Sequence, residues 1–353
     1  MTSLGSSQSL ISVDELNINF YTPRGIARVV KDVNFSIGFG ETFGLVGESG
    51  CGKSVTSRSL MGLIHHPGKI DSGSILLTPK PDKQSIDIVT CTDKALQMIR
   101  GQTIGMIFQE PDMSLNPIMR VGDQIAEAYY IQEHPKDIQA YFHRWIPGFN
   151  RQKKEKYVSN AVALLKALDI SRPETVVRQY PHQLSGGMKQ RILIAIALAG
   201  SPSLLISDES TSSLDVSIQS QIIVLLNQLK KEKRIQSILF ITHDLGLAAM
   251  CCDRLAVMYA GCMCEIGRVP EIFQQPRHPY TQALLETIPK KSQTTNLKPI
   301  SGQVPDLVDA PTGCRFHPRC HLKRDQCVQK MPSMNFVGQD HQVSCWLNVG
   351  YEK

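Results

Sequence analysis

Apolar and polar positions alternate through much of residues 11–46, as in LNINF at residues 16–20 and VNFSI at residues 33–37. A period of two predicts β-strands with one buried face. FGLV at residues 43–46 is an unbroken apolar run, which favours a strand buried on both faces. The chain is therefore expected to open with a β-rich segment.

Later apolar runs predict three more buried strands, at residues 104–108, 204–206 and 238–241. Between them, apolar residues recur at i, i+3, i+4 and i+7, which predicts helices with one buried face. The two clearest sets are Ala161, Leu164, Leu165 and Leu168, and Ile222, Leu225, Leu226 and Leu229. Buried strands alternating with helices predict an α/β layered core with a parallel sheet.

Residues 113–180 carry helical patterns without a strand pattern, so we expect an inserted helical subdomain there. Residues 289–299 are polar and aperiodic and are interpreted as a linker. Residues 300–353 form a compositionally distinct extension rich in Pro, Cys, His and Arg. The role of residues 132–156, which include several aromatic residues, stays open between contact with a partner protein and a local cluster.

Composition sets the class of protein. The 353 residues are 42% hydrophobic and 20% charged, which suits a folded core and excludes a disordered or fibrous chain. The net charge of +6 is spread along the chain, as on an ordinary solvated surface, and argues against a nucleic-acid partner. Residues 1–7 lack the pattern of a signal peptide, and apolar runs such as 192–199 are far shorter than the ~20 residues of a membrane span. We expect a soluble, cytosolic chain.

GESGCGKS at residues 47–54 has the spacing of a phosphate-binding loop, G-x-x-x-x-G-K-[ST]. It stands between a predicted strand and a predicted helix at residues 55–60, which is the context that such a loop requires. Glycines let backbone N–H groups surround an anion, Lys53 would reach the β- and γ-phosphates of ATP, and Ser54 would bind Mg²⁺. We interpret this loop as an ATP site.

LLISDE at residues 204–209 ends a buried strand in two carboxylates. The carboxyl edge of a parallel sheet is where ligands bind in open α/β folds. Asp208 suits the Mg²⁺ shell, and Glu209 suits a general base for the attacking water. A strand followed by Asp-Glu is by itself often a simple strand end, and only its pairing with the loop makes the interpretation strong.

LSGGMKQR at residues 184–191 resembles the signature of the ATP-binding cassette (ABC) ATPases. The resemblance covers residues 11–285 and implies a P-loop core with an antiparallel β subdomain and a helical subdomain, in a cassette spanning residues 1–288. It also implies that Ser185, Gly186, Gly187 and Gln190 face ATP held by a partner subunit. A hydroxyl and glycine N–H groups at a helix N-terminus suit an anion, although an isolated Ser-Gly-Gly is more often a turn or cap.

Other residues stand in the order that this family has. By resemblance, Gln109 would sense Mg²⁺ and water, and His243 would be the switch histidine at the γ-phosphate. Ser213 and Asp215 would lie in the loop that crosses the dimer interface. Ser210 stands where the family usually has Pro, a difference that affects backbone geometry and carries no chemistry.

The resemblance completes the expected ATP site. Phe20 would stack on adenine, with Tyr21 as its rival and a strand-core role as the plainer alternative. The catalytic set would be Lys53, Gln109, Glu209 and His243, and the Mg²⁺ ligands would be Ser54, Gln109 and Asp208. The remaining ATP contacts would be Gly47, Glu48, Ser49, Gly50, Cys51, Gly52, Lys53, Ser54 and Val55.

Two further segments resemble the dipeptide and oligopeptide importer ATPases, including nickel permeases: RHPYTQAL at residues 277–284 and GCRFHPRC at residues 313–320. The extension carries the cysteines Cys314, Cys320, Cys327 and Cys345. Four thiolates suit a [4Fe–4S] cluster or structural Zn²⁺, and the absence of two close Cys pairs together with the resemblance favours the cluster. Unligated cysteines, or His317, His321 and His341 as substitute ligands, are the alternatives.

The resemblance implies a peripheral subunit at the cytoplasmic face of the inner membrane. Its partners would be two membrane permease subunits, a second ATPase subunit, identical or different, and indirectly an extracytoplasmic substrate-binding protein. Peptide, nickel and antimicrobial-peptide uptake stay open as activities. A soluble cassette protein outside transport is the rival, which the single cassette and the absence of a long coiled coil disfavour.

Overall fold

The computed structural model describes residues 9–134, 151–210, 215–288 and 300–348. Three of the sequence interpretations lie wholly or largely outside these ranges: the linker at residues 289–299, the role of Ser213, and most of the segment at residues 132–156.

Twelve strands and twelve α-helices are present in the described residues. The strands are β1 (Ser9–Thr22), β2 (Gly25–Gly38), β3 (Thr42–Val46), β4 (Gly68–Leu77), β5 (Ile86–Asp87), β6 (Ile104–Ile107), β7 (Leu204–Asp208), β8 (Ser237–Thr242), β9 (Arg254–Tyr259), β10 (Cys262–Arg268), β11 (Asn335–Phe336) and β12 (Gln342–Val343). The α-helices are α1 (Lys53–Ser59), α2 (Asp93–Ile99), α3 (Pro111–Ser114), α4 (Val121–Glu133), α5 (Arg151–Ala167), α6 (Pro173–Val176), α7 (Gly186–Leu198), α8 (Val216–Lys231), α9 (Leu245–Cys251), α10 (Val269–Gln274), α11 (Pro279–Glu286) and α12 (Asp325–Gln329).

The chain divides into two compact units, one of Met1–Thr90 with Leu239–Lys353 and one of Cys91–Ile238. In the first unit, β1 pairs antiparallel with β2 and β4, in a four-stranded sheet of order β2-β1-β4-β5. Leu16 and Ile18 are fully buried on one face of β1, as the alternating pattern predicts. The expected antiparallel β subdomain is confirmed.

The first unit also contains strands in the order β11-β12-β10-β9-β3-β8. The central strand β3 is buried at every position and runs parallel to β9, with Val46 opposite Val257. Tyr259 at the end of β9, Tyr280 in α11 and Phe316 belong to one buried cluster with Val46. The C-terminal extension therefore shares the hydrophobic core on which β3 is built.

In the second unit, β6 and β7 are parallel neighbours, and Ile107 lies opposite Ser207. The predicted apolar faces are buried: Leu165 and Leu168, in and just after α5, and Leu229 in α8 have no exposed surface. Between residues 113 and 180 the described part of the chain is helical, without strands. No helix in the described residues is both long and apolar enough to cross a bilayer.

Two glycines shape the turn between β3 and α1, and α1 begins at Lys53, two residues before the predicted start. A Cβ at Gly47 would lie 2.1 Å from the carbonyl oxygen of Met258. Gly52 has φ of +104°, and a Cβ there would lie 2.7 Å from the carbonyl oxygen of Val29. Because backbone atoms cannot yield as a side chain can, only glycine fits at these positions.

The glycine geometry gives a matched pair of variants. We expect Gly50→Ala to cost about 1 kcal/mol of unfolding free energy, because Gly50 has φ of +76° but open space around its Cα. Gly47→Ala is expected to cost about 3 kcal/mol or more, because the new methyl meets backbone. Urea denaturation of both variants tests this, and equal costs would show that the close approach to Met258 does not constrain the loop.

Candidate active site

The loop at residues 47–54 encloses the ammonium group of Lys53. This side chain is only 3% exposed, and its Nζ donates hydrogen bonds to the carbonyl oxygens of Gly47 (2.9 Å) and Glu48 (3.0 Å). The loop thus holds a cation in place at the start of α1, with Ser54 and Val55 half-buried beside it in sequence. An anionic ligand of the loop would meet a positive charge that is already positioned.

A second turn supports the same loop. The N–H of Gly261, between β9 and β10, donates to the carbonyl oxygen of Cys51 at 2.8 Å. Arg315 donates to the carbonyl oxygens of Ala260 and, at 2.9 Å, Arg28. Cys51 is itself fully buried, and burial raises the pKa of its thiol, so its side chain is a neutral packing group.

Two residues that the sequence interpretation did not assign to the site also contact the loop. The N–H of Glu48 donates to the hydroxyl of Tyr280 at 3.0 Å. The Glu48 carboxylate accepts two hydrogen bonds from the guanidinium group of Arg319. Both residues belong to the segments that resemble peptide importers, so the signal was present, but only the fold shows what they touch.

The two candidate adenine-stacking residues lie on opposite faces of β1. Phe20 is half-buried, and its ring lies so close to Gly68 on β4 that a Cβ there would be 2.8 Å from Cζ. Tyr21 is 46% exposed and donates its hydroxyl proton to Asp71 at 2.8 Å, a hydrogen bond that raises the Tyr21 pKa. His243 is exposed, directly after β8.

The second unit places three candidate residues at one edge of its parallel pair. Asp208 is buried at the end of β7, and Glu209 follows with φ of +44°, which is uncommon for a residue with a side chain. Gln109 is exposed just beyond β6. Because Ile107 and Ser207 are paired in register, Gln109 and Glu209 each stand two residues past the same rung.

Ser210 closes the strand end where the family usually has proline. Its hydroxyl lies 2.6 Å from that of Ser207, and both residues are buried. The sequence alone does not predict this contact of Ser210. This contact joins the two residues that flank Asp208 and Glu209, at the position where a proline would instead restrict the backbone.

The signature segment begins α7. Ser185 is exposed as the N-cap and accepts a hydrogen bond from the N–H of Met188 at 3.4 Å. Gly187 is half-buried, and a Cβ there would lie 3.3 Å from Ile218. Gln190 is fully buried on the same helix. Asp215 is exposed as the N-cap residue of α8.

The four cysteines of the extension line one small cavity. Its walls are otherwise formed mainly by apolar and aromatic residues: Pro279, Phe316, Leu322, Pro332, Trp346 and Leu347, together with His278 and His317. Of the proposed substitute ligands, His317 lines the cavity, whereas His341 bonds the buried carboxylate of Glu265 at 2.6 Å. The fold thus brings together cysteines that are far apart in sequence.

The cysteine cavity does not show the arrangement of a metal site, either for a cluster or for Zn²⁺. No group of three or more His, Cys, Asp or Glu within the described ranges is arranged to hold a metal ion. Burial raises the pKa of Cys314 to about 12, and neighbouring thiols add to the shift. Burial also raises the pKa values of Cys320 and Cys345. These three thiols are therefore protonated at neutral pH, and a bound cation would have to displace their protons.

Comparisons with known proteins show the family of the chain. Residues 30–212 match the ABC transporter family, and residues 264–327 match the oligopeptide/dipeptide transporter C-terminal region. The chain is 42% identical to the dipeptide transport ATP-binding protein DppD of Bacillus subtilis, over 96% of this chain and 95% of that protein. It is 44% identical to the oligopeptide transport ATP-binding protein OppD of the same organism, over 96% and 88% of the two chains.

Solved structures support the fold. The ATP-binding cassette MJ0796, solved as a dimer in a post-hydrolysis state with ADP and Pi, matches 73% of this chain and 98% of its own, with a TM-score of 0.59 and 23% identity. The cbiO1 protein of Clostridium perfringens, part of the ABC transporter complex cbiONQ, matches 76% and 91% of the two chains, with a TM-score of 0.57 and 28% identity. With its phosphate loop, its α/β core and its C-terminal region, the chain belongs to the ABC transporter ATPases, in the group of dipeptide and oligopeptide transport ATP-binding proteins.

Proposed function

We propose that this protein is the ATP-hydrolysing subunit of a membrane importer for dipeptides or oligopeptides. The observation that carries the proposal is the loop at residues 47–54, which holds the buried ammonium group of Lys53 at the start of α1. The similarity to peptide transport ATP-binding proteins across 96% of the chain supports the choice of cargo.

The chemistry of the site is divided among residues of distinct types. Lys53 binds the β- and γ-phosphates, and Ser54, Asp208 and Gln109 suit the oxygen ligation of Mg²⁺. When bound, Mg²⁺ neutralises charge that develops on the phosphates. Glu209 orients and polarises the attacking water, and His243 stabilises the transferred charge.

ATP binding closes a head-to-tail dimer, in which the signature residues Ser185 and Gly187 face the ATP of the partner subunit. Ser185 is exposed at the N-terminus of α7, a thirteen-residue helix, so its hydroxyl and the first helical N–H groups can meet a phosphate. Asp215 is exposed, as a residue that crosses a dimer interface would be before assembly. Hydrolysis then reopens the dimer.

The closing motion drives transport through two permease subunits, with a second ATPase subunit, identical or different, and an extracytoplasmic binding protein that delivers the substrate. The protein sits peripherally at the cytoplasmic face of the inner membrane. The alternative is that the same machinery takes up nickel or antimicrobial peptides. A soluble cassette acting on nucleic acid is disfavoured by the resemblance of residues 264–327 to a transporter-specific region.

The variant Glu209→Gln tests the proposal. In proteoliposomes with the permease subunits and the partner ATPase, we expect ATP affinity within about twofold of the wild type and turnover reduced at least ~100-fold, because the amide cannot act as a base. Uptake of a labelled dipeptide should stop with turnover. ATP binding and hydrolysis are measured by nucleotide fluorescence and phosphate release.

Glu232→Gln serves as the control, because Glu232 is exposed and its carboxylate contacts the exposed side chains of Gln228 and Arg234 near the end of α8. It should leave hydrolysis and uptake unchanged. Wild-type turnover in Glu209→Gln would refute the assignment of the base. ATP-driven uptake of nickel but no peptide would favour the alternative cargo.

We further propose that Cys314, Cys320, Cys327 and Cys345 hold a [4Fe–4S] cluster. Their convergence on one apolar-walled cavity supports a thiolate-ligated group, since thiolates are the usual ligands of such clusters. The spacing of the four cysteines, which lacks two close pairs, favours the cluster over the alternative, structural Zn²⁺. When bound, the cluster would cross-link the parts of the extension that carry the four cysteines.

Anaerobic purification of the full chain tests this assignment. We expect visible absorption together with iron and acid-labile sulfide, and loss of all three in Cys327→Ser, because Cys327 lines the cavity. Cys91→Ser is the control, since Cys91 lies outside the extension. Colourless protein that contains zinc, or metal-free protein that is folded and active, would contradict the cluster.

A further inference from the structure

Arg319 is a buried cation whose five N–H donors all have partners. Its Nη1 donates to Glu48 Oε2 (2.7 Å) and the hydroxyl of Tyr259 (3.2 Å), and its Nη2 donates to Glu48 Oε1 (3.1 Å) and the carbonyl oxygen of Ile300 (3.1 Å). Its Nε donates to the carbonyl oxygen of Ser301 at 2.9 Å. A guanidinium group has five such donors, so its hydrogen-bonding capacity is fully used.

The pair of Arg319 and Glu48 is shielded from solvent. The side chains are 5% and 23% exposed, and the guanidinium group lies 5.6 Å from the centre of the Tyr259 ring. Burial alone would lower the pKa of Arg319, but its hydrogen bonds to Glu48 and Tyr259 raise it above the usual value. A two-pronged Arg–carboxylate contact of this kind fixes orientation as well as distance.

Glu48 is the residue through which this pair reaches the nucleotide site. Its backbone carbonyl accepts a hydrogen bond from Lys53, and its backbone N–H donates to Tyr280. Its side chain is held by Arg319. One residue of the phosphate loop is therefore fixed at three points, and two of those points belong to the C-terminal part of the chain.

Tyr280, one partner of Glu48, and Tyr259, one partner of Arg319, pack in a buried aromatic cluster with Phe316. Tyr259 and Tyr280 have ring centres 4.7 Å apart, and Phe316 packs at 5.2 Å and 5.3 Å from them. All three side chains are buried. Because Phe316 and Arg319 lie on the same short segment, packing of Phe316 in the cluster determines the position of the guanidinium group. A shift of this segment would therefore move the Glu48 side chain that the guanidinium group binds.

We propose that Arg319 is a positioning residue for ATP: through Glu48 it holds the phosphate loop in its binding conformation, which makes the C-terminal extension part of the nucleotide site. The inference deepens the proposed function and rests on it. It predicts that the extension sets the affinity of the chain for ATP. A peptide-importer extension that merely stabilised the fold would leave that affinity unchanged.

The test is ATP binding to the full-length protein by fluorescence of a labelled ATP with Mg²⁺, alongside steady-state hydrolysis. We expect Arg319→Gln to raise the Kd for ATP about tenfold and the KM in parallel, while kcat at saturating ATP stays close to the wild-type value. Arg319→Lys should fall between, because it keeps the charge and loses the two-pronged contact. Glu48→Gln should weaken binding like Arg319→Gln.

The double variant Glu48→Gln/Arg319→Gln decides whether the two residues act through each other. We expect it to bind ATP no more weakly than either single variant, since each removes the same contact. Additive losses would overturn the proposal. Arg24→Gln is the matched control: it breaks another ion pair to the extension, Arg24 with Asp306 at 2.7 Å, that is exposed and remote in sequence from the loop, and it should leave Kd unchanged.

Thermal unfolding separates positioning from stability. A lower Tm with unchanged Kd and KM in Arg319→Gln would overturn the proposal in favour of a structural role. If Arg319→Gln does not fold, the Kd of Glu48→Gln for ATP tests the proposal by itself, and an unchanged Kd in that variant overturns the proposal. A wild-type protein that binds ATP without hydrolysing it would contradict the proposed function, yet the binding measurements would still test Arg319.

Discussion

Burying the ammonium group of Lys53 is the constraint around which the first unit is organised. A charge that is only 3% exposed is costly unless polar groups surround it, and here the loop carbonyls of Gly47 and Glu48 do so. Those carbonyls can turn inward only because the loop is short and glycine-rich. Glycine is required at positions 47 and 52 because β9 and β2 pass so close that a Cβ there would meet their backbone.

The loop is therefore not a self-contained motif. Its second residue is bonded to α11 and to the extension, and its fifth residue, Cys51, is bonded to the turn between β9 and β10. Each contact satisfies a polar group that would otherwise be buried alone. The same contacts place a C-terminal segment, more than 260 residues away in sequence, within hydrogen-bond distance of the candidate nucleotide site.

The extension combines two features that are adjacent in the chain. One is the cavity lined by four cysteines, and the other is Arg319, which directly precedes Cys320 in the chain. Because Arg319 and Cys320 are adjacent, a group that fixed the Cys320 thiol would also restrict the backbone that carries the guanidinium group. Through Arg319 the extension contacts the phosphate loop directly, at the carboxylate of Glu48.

The sequence alone determined the elements whose signal is local. Alternation in β1, the apolar run of β3 and the helical periodicity near Leu165 predicted their types, because burial on one face or two leaves a period in the chain. The phosphate loop was equally readable, since glycine positions and the Lys-Ser pair have fixed spacing. Periodicity did not determine where the helices begin. The first residue of α1 is Lys53, directly after Gly52 in the left-handed conformation, and such a backbone conformation leaves no period in the sequence.

Only the tertiary structure decided which distant groups meet. Tyr280 and Arg319 carried a family signal in the sequence, but nothing local indicates that one bonds a backbone N–H and the other a carboxylate in the same loop. The cysteine spacings likewise did not show that the four share one cavity. Such contacts depend on strand order and on the packing of Tyr259, Tyr280 and Phe316, which are properties of the whole fold and leave no periodic trace in the chain.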